Sequence, residues 1–208
     1  MEREKELLNI AARIRTLAQN GLVYSLSEYD TERYEELQTL GNRITALVSG
    51  HSLSDIQSCF HPEKDYVTPK VDIRAVVFND RNEILLVQEK SDGCWSLPGG
   101  WADVGFSPKE IAVKEVKEES GLDVKAVRLL AVMDKKCHNH PPATHYAYKI
   151  FILCETEGGS FRPAFDISGQ GFFKEDALPP LSEERVLESQ VRLMFEYKNN
   201  PDKEAFTD

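Results

Sequence analysis

The chain contains the sequence Gly99-Gly-Trp-Ala-Asp-Val-Gly-Phe-Ser-Pro-Lys-Glu-Ile-Ala-Val-Lys-Glu-Val-Lys-Glu-Glu-Ser-Gly-Leu122, in which a loop precedes a helix with its own start and stop signals. Ser107 and Glu110 have the Ser-x-x-Glu spacing of a capping box, and Pro108 suits the first helical position. Gly121 is the residue type that most often follows a helix. The stretch therefore predicts a helix that begins near residue 108 and ends before residue 121.

Three glutamates share one face of this predicted helix. At about 100° per residue, Glu115, Glu118 and Glu119 fall on one arc. Like charges four residues apart destabilise a helix, so a cation is expected beside them. Carboxylates and a backbone carbonyl are ligands that Mg²⁺ and Mn²⁺ prefer, and the Gly99-Gly100 turn has no side chain to obstruct a carbonyl. The neighbouring arc is apolar and is predicted to face a core: Ala112, Val113 and Val116.

The same glutamates have a simpler interpretation, which is a solvated acidic helix face. On three acidic residues alone, that interpretation would be preferred. The Gly-Gly turn, the spacing and the capping signals together favour the metal site.

The stretch resembles the Nudix box, whose usual form is Gly-x5-Glu-x7-Arg-Glu-U-x-Glu-Glu-x-Gly-U, where U is aliphatic. Gly100 and the segment from Lys114 to Leu122 match it, but Phe106 replaces the first glutamate and Lys114 replaces the arginine. In the family those two residues commonly pair and support the metal-binding glutamates. A lysine lacks the two-pronged guanidinium of arginine, so the support of the glutamates and the number of metals stay open.

The resemblance, which extends loosely from Val67 to Pro180, implies hydrolysis of a nucleoside diphosphate linked to a group X. We expect Mg²⁺ or Mn²⁺ to be held by the Gly99 carbonyl and by the glutamates 115, 118 and 119. The ion would neutralise the phosphates and acidify a bound water. Glu115 is the first candidate for the base and Asp166 the second. Asp166 is a candidate by resemblance only, and a turn aspartate is an equally good interpretation.

The group X is suggested by a subgroup resemblance. The helical N-terminal extension, the Gly100-Trp-Ala-Asp-Val-Gly105 form of the box and the Leu178-Pro-Pro-Leu-Ser182 segment resemble two-domain bacterial pyrophosphatases that act on CDP-choline or ADP-ribose, with CDP-choline nearer. The products would be a nucleoside monophosphate and phospho-X. Trimming of RNA 3′ ends is a secondary alternative. A non-catalytic module that senses nucleotides is the alternative from another class, although it would not need the acidic triplet.

Five further residues are candidates for substrate binding. Arg74, in an apolar strand, is either paired on an exposed face or aimed at an anionic ligand. Trp101 either stacks on a nucleobase or packs, and Asp103 is a candidate for holding metal-bound water. His138 and His140 lie in a basic loop that either covers the cleft and contacts phosphates or is simply flexible and polar. A zinc site with His145 lacks a second ligand pair.

Composition excludes several classes of protein. A formal charge of −10 over 208 residues argues against a broad nucleic-acid surface. The four cysteines are scattered and are interpreted as reduced thiols of a cytoplasmic protein. No apolar run approaches the length of a membrane span, and the charged start of the sequence is unlike a secretory signal.

Apolar periodicity divides the chain into a helical domain at 1–64 and a Nudix domain at 65–208. Helices are predicted at 4–20, with Asn20-Gly21 as a stop signal, from residue 27 or 30 to 49, and at 54–60, with a linker at 61–69. Related extensions contribute to dimerisation, so a homodimer is expected. A helix-turn-helix DNA reader is disfavoured because the segment is acidic.

The rest of the chain predicts the α/β/α Nudix sandwich with a mixed sheet. A strand at 71–78 is followed by a hairpin partner at 83–89. After the glutamate helix, strands are predicted near 124–133 and 146–155, then a turn at Gly158-Gly159 and a strand at 172–173. A last helix is expected at 182–197.

Overall fold

A computed structural model describes residues 2–59, 66–141, 146–162 and 164–208. The chain forms two compact units, Met1–Thr68 and Pro69–Asp208, which are described separately. Within the described ranges, no helix is long and apolar enough to cross a bilayer. The predicted linker at 61–69 falls mostly outside these ranges.

The first unit contains three helices, α1 (Glu2–Tyr24), α2 (Glu28–Ser49) and α3 (Leu53–Cys59). Ser27 precedes α2 and Gly50 ends it in the left-handed conformation, as the sequence predicted. The predicted stop at Asn20-Gly21 is wrong, because α1 continues to Tyr24. A Cβ on Gly21 would lie 2.4 Å from the Tyr34 ring, so this glycine permits close approach of the two helices and does not end α1.

The second unit begins with four strands, β1 (Lys70–Val77), β2 (Ile84–Glu89), β3 (Trp95–Ser96) and β4 (Gly99–Trp101). The glutamate helix, α4, spans Pro108–Ser120. The elements that follow it are β5 (Leu122–Asp134), β6 (Ala147–Gly159), β7 (Ile167–Phe173), α5 (Glu188–Asn199) and β8 (Phe206–Thr207), with short 3₁₀ turns at Lys135–Cys137 and Glu175–Ala177.

The strands form a mixed sheet in the order β4-β1-β6-β5-β8 and an antiparallel sheet in the order β3-β2-β7. In the mixed sheet β1 runs parallel to β6, whereas β4 and β5 run antiparallel to their neighbours β1 and β6. The predicted α/β fold with a mixed sheet preceded by helices is therefore confirmed.

Three local predictions are wrong. The strands β1 and β2 are not hairpin partners: a bridge from Phe78 to Ile84 joins them, and β2 pairs with β3 and β7. Gly158 and Gly159 are the last residues of β6, where they pair with the start of β5. The last helix begins at Glu188 and not at residue 182, because the Ser182 N–H donates to the Trp95 carbonyl and holds that segment beside β3.

Two apolar clusters stabilise this unit, one on each face of β1, so that β1 is buried on both faces. Val76 belongs to the cluster that includes the α5 residues Val191, Met194 and Phe195. Alternate residues of β1 belong instead to the cluster that includes α4. In that cluster Ala112 and Val116 are fully buried, as predicted for the apolar arc of the helix, and they share it with Ile73, Ala75, Val77 and Ile111. Packing on β1 thus fixes which face α4 turns away from the core.

The first glycine of the Gly-Gly turn is required by its contact with β1. Gly99 has φ of +154° and pairs with Arg74, and a Cβ there would lie 2.0 Å from the Ile73 carbonyl oxygen. No relaxation of a side chain can relieve such a clash, because the neighbouring atom belongs to the backbone.

Replacement of Gly99 by alanine is therefore expected to destabilise the protein by about 3 kcal/mol through a backbone clash. Gly93→Ala is the matched control, because Gly93 also has positive φ (+69°) but nothing lies within 4 Å of its Cβ position. Thermal unfolding should show a much larger loss for Gly99→Ala. Equal losses would mean that strain in φ, and not the clash, sets the cost.

Candidate active site

The capping box predicted for α4 is present. The Ser107 hydroxyl accepts a hydrogen bond from the Glu110 N–H at 3.3 Å, and the Glu110 carboxylate accepts one from the Ser107 N–H at 2.8 Å. Gly121 ends the helix with φ of +83°. Both ends of α4 are thus fixed by local hydrogen bonds, and the glutamates at its C-terminal end have a defined position over β4.

Glu119 is the buried member of the triplet, with 7% of its surface exposed. The Gly99 N–H donates to its Oε2 at 3.0 Å. Burial raises the pKa of Glu119 to about 8, although Arg74 and the Gly99 N–H act in the opposite direction, and Glu115 and Glu89 add to the rise. A carboxylate that is buried beside other acids needs an external positive charge to ionise at neutral pH.

Glu115 lies against the second glycine of the turn. A Cβ on Gly100 would lie 3.1 Å from Glu115 Oε1, so a side chain at residue 100 would crowd this carboxylate. Burial raises the pKa of Glu115, with Lys114 opposing the rise and Glu118 adding to it. The turn 99–100 therefore lies beside two of the three glutamates: Gly99 donates a hydrogen bond to Glu119, and the missing side chain of Gly100 leaves room for Glu115.

Lys114 lies among three carboxylates, and sequence reasoning had not given it this role. Its Nζ is 3.3 Å from Asp103 Oδ2, 3.3 Å from Glu118 Oε2 and 3.8 Å from Glu115 Oε1. The hydrogen bond to Asp103 is the main cause of the raised pKa of Lys114. Phe106, which occupies the position of the first glutamate of the box, is 52% exposed. Asp103 is thus the acidic partner of Lys114, three residues before the expected position.

The donors of the glutamate triplet fit a divalent cation in type, because they are carboxylates next to a glycine turn. Two of them are buried enough that their charge is poorly solvated. In the described ranges, no group of three or more His, Cys, Asp or Glu side chains converges on one point as they stand. Glu118 contacts Lys114 here and would exchange that contact for an ion.

Arg74 is buried in an ion pair, which excludes its placement on an exposed face. Its Nε and Nη2 lie 3.0 and 2.9 Å from Asp72 Oδ1, and its Nη1 donates to the Leu97 carbonyl at 3.1 Å. Lys149, which is opposite Asp72 on β6, contacts the same carboxylate. Asp72 and Lys149 were not predicted, although each is a charged residue inside an apolar strand, which was the available signal.

The remaining predicted residues are more scattered. Trp101 is 51% exposed at the end of β4. His138 pairs with Asp208 at 3.2 Å, and His140 is buried with its Nδ1 2.6 Å from the Glu183 carbonyl. Asp166 is exposed, and no contact described here joins its side chain to the glutamates. The suggested zinc ligand His145 lies outside the described residues.

Two family descriptions match the chain in the order of its two units. Residues 5–60 match a UDP-X-like N-terminal oligomerisation domain of Nudix proteins, and residues 68–189 match the NUDIX domain. The second match covers more than half of the chain.

The chain belongs to the Nudix family.

Relatives extend the likeness over the whole length. A Bacillus subtilis (strain 168) protein provisionally named ADP-ribose pyrophosphatase YjhB is 46% identical over 201 residues, which are 97% of this chain and 96% of that protein. An ADP-ribose pyrophosphatase of Methanocaldococcus jannaschii is 33% identical over 132 residues, 61% of this chain and 76% of its own. As a Nudix hydrolase, this protein acts on phosphoanhydride bonds.

Solved structures agree with the fold. A crystal structure of an ADP-ribose pyrophosphatase from Streptococcus suis has a TM-score of 0.62 at 47% identity and covers 68% of this chain and 100% of its own. The structure of a UDP-X diphosphatase has a TM-score of 0.64 at 30% identity and covers 99% of both chains.

Replacement of Glu119 by glutamine is expected to remove a pH-dependent destabilisation of the metal-free Nudix protein. With a pKa of about 8 against 4.5 ordinarily, folded Glu119 keeps its proton where the unfolded chain releases it. The free energy of unfolding therefore falls as pH rises between these values. Melting temperatures in EDTA from about pH 5 to 8.5 should fall less for Glu119→Gln than for wild type.

Glu118→Gln is the control for this measurement, because Glu118 lies on the same helix with a side chain that is 58% exposed. Its pH profile should follow that of the wild type. If Glu119→Gln also followed the wild type, burial would not be what controls the ionisation of Glu119.

Proposed function

We propose that this Nudix hydrolase cleaves the diphosphate of a nucleoside diphosphate linked to X, with Mg²⁺ or Mn²⁺ held by Glu115, Glu118, Glu119 and the Gly99 carbonyl. The observation that carries the proposal is the contact of the Gly99-Gly100 turn with the buried end of the glutamate helix. Two carboxylates whose pKa values are raised by burial therefore lie beside two residues that have no side chain of their own to keep an ion away.

The proposed roles of the residues follow from their environments. A divalent ion, when bound, neutralises phosphate oxygens and acidifies water. Glu115 is the preferred base because it is half-buried within the triplet and burial raises its pKa, and a carboxylate with a raised pKa accepts a proton more readily. Asp166 is the weaker candidate because its side chain is exposed and has no described contact with the triplet.

ADP-ribose is the first substrate to test, because two relatives of about 46% identity carry that activity in their names, one of them provisionally. CDP-choline, which the subgroup resemblance of the sequence favoured, stays a prediction. A UDP-linked substrate is the third, because the structural neighbour aligned over the whole chain is named a UDP-X diphosphatase. A sensor that binds without cleavage is disfavoured, because a protein that does not catalyse hydrolysis has no need of a destabilising acidic triplet.

Glu118→Gln and Glu119→Gln are each expected to lower kcat/KM by about 100-fold or more, because each removes a charged metal ligand. The assay follows release of AMP from ADP-ribose, CMP from CDP-choline and UMP from UDP-glucose at limiting Mg²⁺. Glu157→Gln, at an exposed position of β6 outside the triplet, is the control and should retain activity. Full turnover by the Glu118→Gln, Glu119→Gln double variant would rule out the metal shell, and binding of all three substrates without cleavage would favour the sensor.

We further propose that the helical domain at 1–64 makes the protein a homodimer, with the catalytic domain at 65–208. The α1 and α2 helices pack through small or polar groups, including a hydrogen bond of 2.6 Å from Arg15 to Thr45. Each helix keeps an exposed apolar stripe at helical spacing. Between 38% and 83% of these side chains is exposed in the single chain: Leu7, Ile10, Leu17, Leu37, Leu40 and Leu47.

Replacement of Leu17 and Leu47 together by glutamate is expected to give a monomer, because charges would replace apolar side chains that are 50% and 83% exposed in the single chain. Sedimentation equilibrium of the full chain measures the mass. The control is Val104→Glu, a fully exposed apolar residue of the catalytic unit, which should stay dimeric. A monomeric wild-type protein would contradict the proposal.

A further inference from the structure

The polar groups on β1 and its neighbours divide into an acidic and a basic half. The charges of Glu119 and Glu89, as well as that of its partner Asp72, act to raise the pKa of Arg74. Beyond Asp72, the sheet register places Lys149 on β6 and Met133 on β5 in one row, and Lys135 follows two residues after Met133. Glu119, which accepts a hydrogen bond from Gly99, thus lies on the β4 side of Arg74, and the two lysines lie on the side of β6 and β5.

In this basic half two cations, Arg74 and Lys149, contact the same carboxylate, that of Asp72. Burial and the neighbouring Arg74 lower the pKa of Lys149 to about 8, and burial lowers the pKa of Lys135. The nearby carboxylates of Asp72 and Glu184 act to raise the pKa of Lys135, and the nearby cations of Arg74 and Arg185 act to lower it. Two buried cations that share one carboxylate leave positive charge that an anion can balance.

A second observation at the same place is the unused ring nitrogen of His140. The residue is 4% exposed, and its Nε2 is buried with no hydrogen-bond partner among the residues that the structure describes. Its Nδ1 lies 2.6 Å from the Glu183 carbonyl, so Nδ1 carries the proton and Nε2 is an acceptor. Burial, with Lys149 and Lys135 nearby, lowers the pKa of His140 to about 4, which keeps the ring neutral at pH 7.

We propose that Arg74, Lys135, Lys149 and His140 form a basic cluster that binds the X half of the substrate together with the phosphate next to X, and that X is a hydroxyl-bearing sugar, not a group with a quaternary ammonium. The cations meet phosphate oxygens, and a hydroxyl of X donates to His140 Nε2. A trimethylammonium group would add a positive charge to the cluster and has no hydrogen to donate. The inference rests on the proposed function, and it selects among the substrates considered there.

The cluster also explains the position of Arg74. A diphosphate carries charge along its length, so a metal at one end and cations at the other neutralise different oxygens. Arg74 lies where the two halves meet, and Asp72 keeps its guanidinium in place. Lys149 fixes the other side of the same carboxylate. The acidic half thus determines where the metal binds, and the basic half determines which X is accepted.

Reversal of one charge tests the cluster. Lys135→Glu should weaken binding of ADP-ribose about tenfold or more in metal-free buffer, measured by calorimetry, and should shift the ratio of kcat/KM for ADP-ribose over CDP-choline at least tenfold towards CDP-choline. Lys136→Glu is the matched control: it makes the same change of charge one residue away, at an exposed position, and should leave both quantities within about twofold. Equal effects of the two variants would overturn the inference.

A second variant tests His140 without charge. His140→Asn can keep a donor towards the Glu183 carbonyl while it removes the Nε2 acceptor. It should raise KM for ADP-ribose about tenfold. It should leave KM unchanged for the β-methyl ester of ADP, which has a methyl group in place of the sugar at the X position. An equal rise for both substrates would mean a structural role and would overturn the assignment of Nε2.

These measurements separate the two proposals. Metal-free binding that responds to Lys135→Glu but not to Lys136→Glu supports the basic cluster even if no substrate is cleaved, in which case only the hydrolytic function fails. If ADP-ribose is cleaved but its binding is unchanged by Lys135→Glu, the hydrolytic function stands and the basic cluster is ruled out.

Discussion

The contact between the Gly-Gly turn and strand β1 is the constraint on which the site depends. Gly99 lies so close to the Ile73 carbonyl that any Cβ would clash, and from this position its N–H reaches the Glu119 carboxylate at 3.0 Å. If the turn moved outward by the width of a methyl group, this hydrogen bond would be lost. The burial of Glu119 under the turn would be lost with it. The fold therefore fixes the most buried ligand candidate through backbone atoms of its neighbours, which cannot change rotamer.

The glutamates of α4 and the lysines of the proposed basic cluster come from different elements of the fold. Glu115, Glu118 and Glu119 come from one helix, whereas Lys135 and Lys149 belong to β5 and β6 or follow them directly. Arg74 and Asp72 on β1 lie between β4, whose Gly99 bonds to Glu119, and β6, which carries Lys149. In a poorly solvated place, electrostatic interactions with a ligand are stronger than in water. Under the two proposals, the substrate would bring a metal ion to the glutamates and an anion to the basic cluster.

Local signals in the sequence were sufficient for α4, because its capping box, its apolar arc and its terminal glycine act within one helix. They were insufficient wherever the outcome depended on distant partners. Gly21 was interpreted as a stop because its contact with Tyr34 on another helix is invisible in the sequence. The pairing of β2 with β7, about 80 residues later, prevailed over the apparent hairpin with β1. Asp72 and Lys149 became partners through the same long-range register.

The pair formed by Asp103 and Lys114 explains how the helix tolerates the two departures from the usual motif. A lysine is a point charge and does not need the coplanar partner that a guanidinium prefers, so a carboxylate in the loop at residue 103 can replace one at residue 106. Phe106 is then free of that role and is half exposed. The same lysine also contacts Glu118 and holds this glutamate's negative charge in the absence of an ion. If a divalent ion bound Glu118, Asp103 would still give the ammonium of Lys114 a partner, so loss of the contact with Glu118 would not leave Lys114 without a carboxylate.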